Sequence, residues 1–159
     1  MNIFYLHTDP TICAQRHYDK HVVKMCLETA QLLCTAHHVH NPTGEYITSL
    51  YRPTHKNHPS SVWVQQHSQH YNWAYKLFEA LLGEYTFRYG KVHKCSRLLD
   101  LLKQNPCPSE TTPTQPPAVV GDHNQRDSVT ESYKLLYKTD KAYLYAYTKR
   151  KPFFELEGA

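Results

Sequence analysis

At 159 residues the chain has the length of one domain, residues 1–159, and enough material for a core that needs neither disulfides nor metal. Its formal net charge of +4 permits an anionic partner without demanding one, and no stretch reaches the roughly 18 apolar residues of a membrane span. The five cysteines form no CxxC pair and fit reduced thiols in a cytosolic protein, in the host cytoplasm if a phage encodes it. The opening MNIFYLHTDP lacks the basic stretch and apolar run of a signal peptide. Twelve histidines and thirteen tyrosines are unusually many. Both side chains suit half-buried polar surfaces, base stacking and phosphate contacts.

Asn2 to Leu6 is apolar and β-prone, and predicts a small strand or an extended arm packed on the core. Asp9 and Pro10 give a helix start, as N-cap and first helical residue. One or two helices follow to about His38. His37 to Tyr51 contains Asn41-Pro42 and Gly44 and reads as a loop, and Arg52 to Ser61 as a second one. From Pro59 to about Tyr89, Trp63, His67, Tyr71, Ala74, Phe78, Leu81 and Tyr85 recur at packed-helix spacing, which predicts the longest helix, interrupted at Gly90. Lys91 to Lys103 predicts a shorter helix. Residues 104–125 hold five prolines and no periodicity, and predict a linker or an ordered crossing. Asp127 to Thr148 predicts a last helix with Val129, Tyr133, Leu136 and Tyr143 or Leu144 inward. With almost no alternating pattern, the fold class is all-α.

On a helix spanning residues 17–38, the apolar positions leave one narrow polar line: His17, His21, Lys24, Glu28, Gln31, Thr35 and His38. A partly exposed edge with an i,i+4 Lys24–Glu28 pair explains it plainly. A pocket wall explains it as well. There Glu28 serves as general acid or base, Lys24 as electrostatic partner or amine nucleophile, and His21 beside them as a third catalytic candidate. A second cluster, His55, Lys56, Asn57, His58, Ser60 and Ser61 after Arg52, stands where the long helix begins, a place suited to a phosphate. Its plain explanation is helix capping. Glu84 to Lys94 interleaves tyrosines and Phe87 with Arg88, Lys91 and His93, which suits a nucleic-acid backbone or simply a packed aromatic face. Ser132 to Lys151 has the same character, with Lys149-Arg150-Lys151 expected to be exposed. His17/His21 and His67/His70 have helical metal-ligand spacing but lack the acidic partner of the HExxH pattern, so no metal or other cofactor is assigned.

MNIFYL, DKHVVKMCLETAQLL, RPTHKNHPSSVW and EYTFRYGKVH together resemble a family of small phage and environmental proteins, over most of the first 95 residues. The order of features is also similar to the pyrimidine-dimer DNA glycosylases of the phage endonuclease V type, including an NHP-like stretch before a helix, here Asn57-His58-Pro59. That resemblance implies a small all-α enzyme that removes damaged or modified pyrimidines from DNA and cleaves the abasic site. It puts Glu28 in the place of the catalytic Glu and Arg16, Lys20 and Lys24 on the DNA-facing side. It departs from the family where a small residue should follow Met1: Asn2 stands there. The amine is then that of Met1 or of Lys24, or the chemistry differs. Two further functions compete. One is an enzyme acting on a free nucleotide or modified nucleoside held by Arg52, His55, His58 and Lys91. The other is a non-catalytic binder that sequesters a nucleotide signal. The partner is DNA or a nucleotide in every case, and Gln31 and Ser60 join the candidate binding residues.

Overall fold

The computed structural model describes residues 2–156. Six α-helices make up its frame: α1 (Pro10–Arg16), α2 (Asp19–His40), α3 (Pro59–Gln66), α4 (Ser68–Tyr89), α5 (Leu99–Leu102) and α6 (Val129–Lys138). Short 3-10 turns punctuate the connections, and no strand occurs among the described residues. Helix α4 is the spine. Helices α1 and α2 pack on it, and α3 closes against both α2 and α4. Tyr71, Ala74, Leu77, Phe78 and Leu81 of α4 are fully buried against Val22, Met25, Cys26, Leu32, Leu33 and Cys34 of α2 and their neighbours. None of the described helices is long and apolar enough to cross a membrane. All five cysteines are free, and four are buried.

Local chemistry starts and stops several elements as expected. Asp9 Oδ1 accepts from the Thr11 and Ile12 amides at 2.8 and 3.4 Å, with Pro10 at the first helical position. Gly90 ends α4 in the left-handed conformation, φ 68°, and returns its N–H to Thr86 O. Asn2 to Leu6 is an extended arm, buried from Ile3 to Leu6.

The opening region, read as one or two helices, forms two, and three other helices are shorter than their periodicity predicts. The opening helical region breaks at His17–Tyr18 because Arg88 of α4 reaches across. It donates to Gln15 O at 2.9 Å and His17 O at 2.8 Å, carbonyls that a continuous helix would use itself. The long helix predicted from Pro59 to Tyr89 splits at His67, which is extended. There Ser68 N donates to Pro108 O of the proline-rich crossing at 2.7 Å. The last helix ends at Lys138 rather than Thr148, since Thr139 turns its hydroxyl to Leu135 O and to Asn124 Oδ1. Within Lys91–Lys103 only Leu99–Leu102 is α-helical, preceded by a 3-10 turn at Lys94–Leu98.

The proline-rich segment is an ordered crossing. Trp63 Nε1 donates to Thr114 O at 3.1 Å, Thr114 N donates to His70 Nε2 at 2.9 Å, and Gln125 Nε2 donates to Ala118 O at 2.7 Å. The tyrosine-rich tail then wraps back over α1 and α2. Tyr147 Oη donates to Arg16 O at 2.6 Å, and the backbone N–H and hydroxyl of Thr148 both donate to Asp19. Tyr143, one of two residues expected inward at that position, is exposed, and Leu144 is the half-buried one.

Candidate functional site

The polar line on α2 is divided into a covered end and an open middle. His17 precedes α2 and is fully buried. Its Nδ1 donates to Cys13 O at 2.7 Å, which leaves Nε2 as the bare nitrogen, and no partner reaches that atom. His21 is buried too, under the ring of Phe4, which stacks on it at 4.1 Å and 6°. Its Nδ1 lies 2.7 Å from Tyr137 Oη. Burial drives both imidazoles toward the neutral form, His17 down to about 4 and His21 to about 3. For His21 the charges of His17, Lys141 and Lys24 add to the effect. His21 is thus a covered ring at one end of the line, bonded to Tyr137 and stacked under Phe4.

The middle of the line differs. Lys24 Nζ lies 3.7 Å from Glu28 Oε2, with 53% of the lysine side chain but only 18% of the glutamate exposed. A largely buried carboxylate thus sits beside a half-exposed lysine. Gln31, one turn on, is half-buried.

Two anchors fix what surrounds this pair. At the far end Thr35 Oγ1 accepts from Thr54 N at 3.2 Å. At the near end Asn2, two residues before Phe4, takes Tyr133 Oη at 2.7 Å and Ser60 Oγ at 3.5 Å on its Oδ1, and donates to Val119 O at 2.9 Å. The loop from Thr54 to Ser60 therefore starts at one end of the line and returns toward the other. Thr35 and His21 stand about 21 Å apart along the helix axis. Lys24, Glu28 and Gln31 lie between these ends of the line. Exposed His55, Lys56 and Asn57 belong to the loop, and exposed Arg52 leads into it. His55 holds φ 50°, an unusual conformation for a residue with a side chain.

Comparison with protein families, with curated proteins and with solved structures finds no match. The geometry alone therefore carries the assignment of roles.

Several expected binding residues are engaged within the fold. Arg88 is buried. It holds Glu84 at 2.9 Å, Asp19 at 2.9 Å and the Gln15 and His17 carbonyls, so it is engaged inside the fold. Arg150, expected to be free, binds Glu84 through Nε at 2.8 Å and Nη2 at 3.1 Å, while Lys149 and Lys151 are exposed. Arg16 donates to Leu6 O at 3.1 Å and lies over Phe153. His58 Nδ1 accepts from Ser60 N at 3.1 Å, which occupies one of the α3 amides expected to meet a phosphate, and Ser60 is buried. His93 caps Cys95 N in the same way at 3.0 Å. Lys20 and Lys91 are exposed, and Lys91 follows the C-terminal end of α4. Both ring nitrogens of His70 are committed, to Trp63 O and Thr114 N. Among the described residues no group of three metal-ligating side chains converges.

Four participants carry no motif in the sequence: Asn2, Phe4, Tyr137 and Lys141. Only the apolar NIFYL arm hinted at the first two. The alternative amine, that of Met1, lies outside the described residues.

Proposed function

We propose that the protein is a DNA glycosylase with lyase activity on damaged or modified pyrimidines, with Lys24 as the amine and Glu28 as the proton carrier. The observation that carries this reading is the Lys24–Glu28 pair: an accessible nitrogen 3.7 Å from a mostly buried carboxylate. Lys20, Arg52 and Lys56 are exposed on the neighbouring surface and suit phosphate contacts.

An ammonium cannot attack, so Lys24 first gives a proton to the Glu28 carboxylate. The free nitrogen then adds to C1′ of the sugar as the C1′–N bond to the base breaks. The departing base takes the proton that Glu28 received. The C1′ adduct opens to an imine, and that imine permits loss of the 3′ phosphate by β-elimination. The target nucleotide must leave the duplex stack to reach the pair.

The test is incubation with ultraviolet-irradiated duplex DNA in the presence of borohydride, which reduces an imine to a stable link. Parent protein should give a covalent adduct, Lys24→Ala none, and Glu28→Gln should bind DNA without cleaving it. An adduct undiminished in Lys24→Ala, or full cleavage by Glu28→Gln, refutes the assignment.

One observation favours a second reading, an enzyme acting on a free nucleotide or nucleoside. Arg16, Arg88 and Arg150 all have internal partners, so the cations left around Glu28 form a small patch. A patch of that size suits one or two phosphates. Affinity for duplex DNA should fall with log salt at a slope of about −0.9 per phosphate contacted. A slope near −1 to −2 would move the assignment to the single nucleotide.

A further inference from the structure

On the opposite side of α2 lies a separate cavity of about 530 Å³. It opens between the end of α2, the 3-10 turn Glu45–Ser49 and the exit of α5, and its lining includes His37, Asn41, Tyr46, Leu101, Gln104 and Pro106. His37 follows Glu28 by nine residues, which is half a turn around the helix and about 14 Å along it. The two regions are therefore distinct.

A buried chain of hydrogen bonds leads from this cavity into the core, and its direction is fixed by its inner end. Tyr71 Oη donates its one proton to Leu102 O. His37 Nε2, 2.7 Å from Tyr71 Oη, must then be the donor in that contact. His37 Nδ1 is left as an acceptor for Tyr46 Oη, also at 2.7 Å. Tyr46 Oη in turn accepts from Asn41 Nδ2 at 3.1 Å. Burial favours this uncharged imidazole, holding it down to about 4. The phenol of Tyr46 is thus locked in one orientation at the cavity wall, as a preorganised site requires.

The lining contains no Asp, Glu, Lys or Arg, only the imidazoles of His37 and His40, so no carboxylate, ammonium or guanidinium there pairs with a charged ligand. Its polar groups include two amides, Asn41 and Gln104, on exposed residues. Asn105 is already committed, to Ser68 O, to Asn72 Oδ1 and to Cys107 N. A side-chain amide presents a donor and an acceptor side by side, which matches a ring edge carrying the complementary pair, as adenine does. Leu101 and Pro106 supply apolar surface for the face of such a ring. The volume is that of a small-molecule site.

We propose that this cavity binds an uncharged purine nucleoside, its base edge on the Asn41 and Gln104 amides and its ring against Tyr46, Leu101 and Pro106. The site does not depend on the chemistry assigned to Lys24 and Glu28.

The probe is adenosine, titrated calorimetrically into the full chain at millimolar concentration, with ribose as control. Adenosine should bind and ribose should not. Gln104→Ala, at an exposed position, should bind adenosine at least about fivefold more weakly, and Tyr46→Phe should weaken it as well. Lys24→Ala should bind as the parent does, even if it has lost all glycosylase activity. Absence of adenosine binding, equal binding by parent and Gln104→Ala, or equal binding of ribose overturns the proposal. Loss of binding in Lys24→Ala overturns it too, because it would place the nucleoside at the other site.

Discussion

Replacing His17 by Asn should make the protein less sensitive to acid while costing stability at neutral pH. The neutral tautomer of His17 is set by Cys13 O, which accepts from Nδ1, so a second proton must go on Nε2. That nitrogen is buried without a partner, and the Arg88 charge also opposes protonation. The unfolded imidazole takes its proton near 6.5, whereas burial holds the folded one to about 4. Between those values the unfolded state binds the extra proton, so stability rises with pH across the window and is lost as pH falls through it. For His17 the full difference is about 3 kcal/mol. His21, held to about 3, and His37, held to about 4, act in the same sense. Together the three sites give a slope of up to about 4 kcal/mol per pH unit in the steepest part of the window. Asn can keep the N–H to Cys13 O but does not titrate, and its smaller volume should cost about 1–2 kcal/mol at neutral pH. Urea unfolding at a series of pH values from about 7.5 to 4.5 measures both quantities. The expected result is a lower stability at neutrality and a pH slope reduced by up to about 1.4 kcal/mol per pH unit. An unchanged slope would show that His17 is charged in the folded protein or already shielded in the unfolded one, and the argument would fail.

Glu84→Gln should destabilise the protein by about 3 kcal/mol at neutral pH, the low end for a broken buried pair, because Asp19 still compensates Arg88 at 2.9 Å. Burial by itself raises the Glu84 carboxyl, but the hydrogen bonds and charges of Arg150 and Arg88 outweigh it and hold the group below 4.5. Its contribution is complete above that value and disappears as pH falls through the depressed one, so parent and variant should converge in acid. Denaturant curves that stay parallel down to about pH 2.5 would count against it. His58→Ala should cost about 1 kcal/mol by leaving the Ser60 N–H uncapped, and His58→Asp should recover most of that. Amide exchange at Ser60 is the direct measurement, and equal protection in parent and His58→Ala would contradict the cap.

The elements that could be read from the chain are those decided within a few residues. Asp9 and Pro10 begin α1 through contacts two and three residues away, and Gly90 ends α4 by its own backbone freedom. The breaks that could not be read are decided across the fold. Arg88 acts on His17 over 71 residues of separation, and Pro108 acts on Ser68 from the crossing. The same distinction divides the candidate site. Periodicity put His21 to His38 of the polar line on one helix, but it also included His17, which lies before α2. It could not show that Phe4 and Tyr137, the latter 116 residues from His21, would cover one end and leave Lys24 and Glu28 at the open middle.

The histidine content changes meaning on the same grounds. At His7, His58, His67 and His93 the ring Nδ1 accepts from the backbone N–H two residues on, and the last three of these precede helical turns. This is the work usually done by Asp, Asn, Ser or Thr at a helix start. His37 and His70 bridge two groups each, and His17 and His21 each hold one buried partner. A composition that suggests phosphate contacts and base stacking is thus largely engaged in holding the fold together, through ring nitrogens bonded inside it. The consequence for function is specific. Contacts to an anion at the proposed site fall to the few exposed side chains near α2: Lys20, Lys24, Arg52, Lys56 and His55.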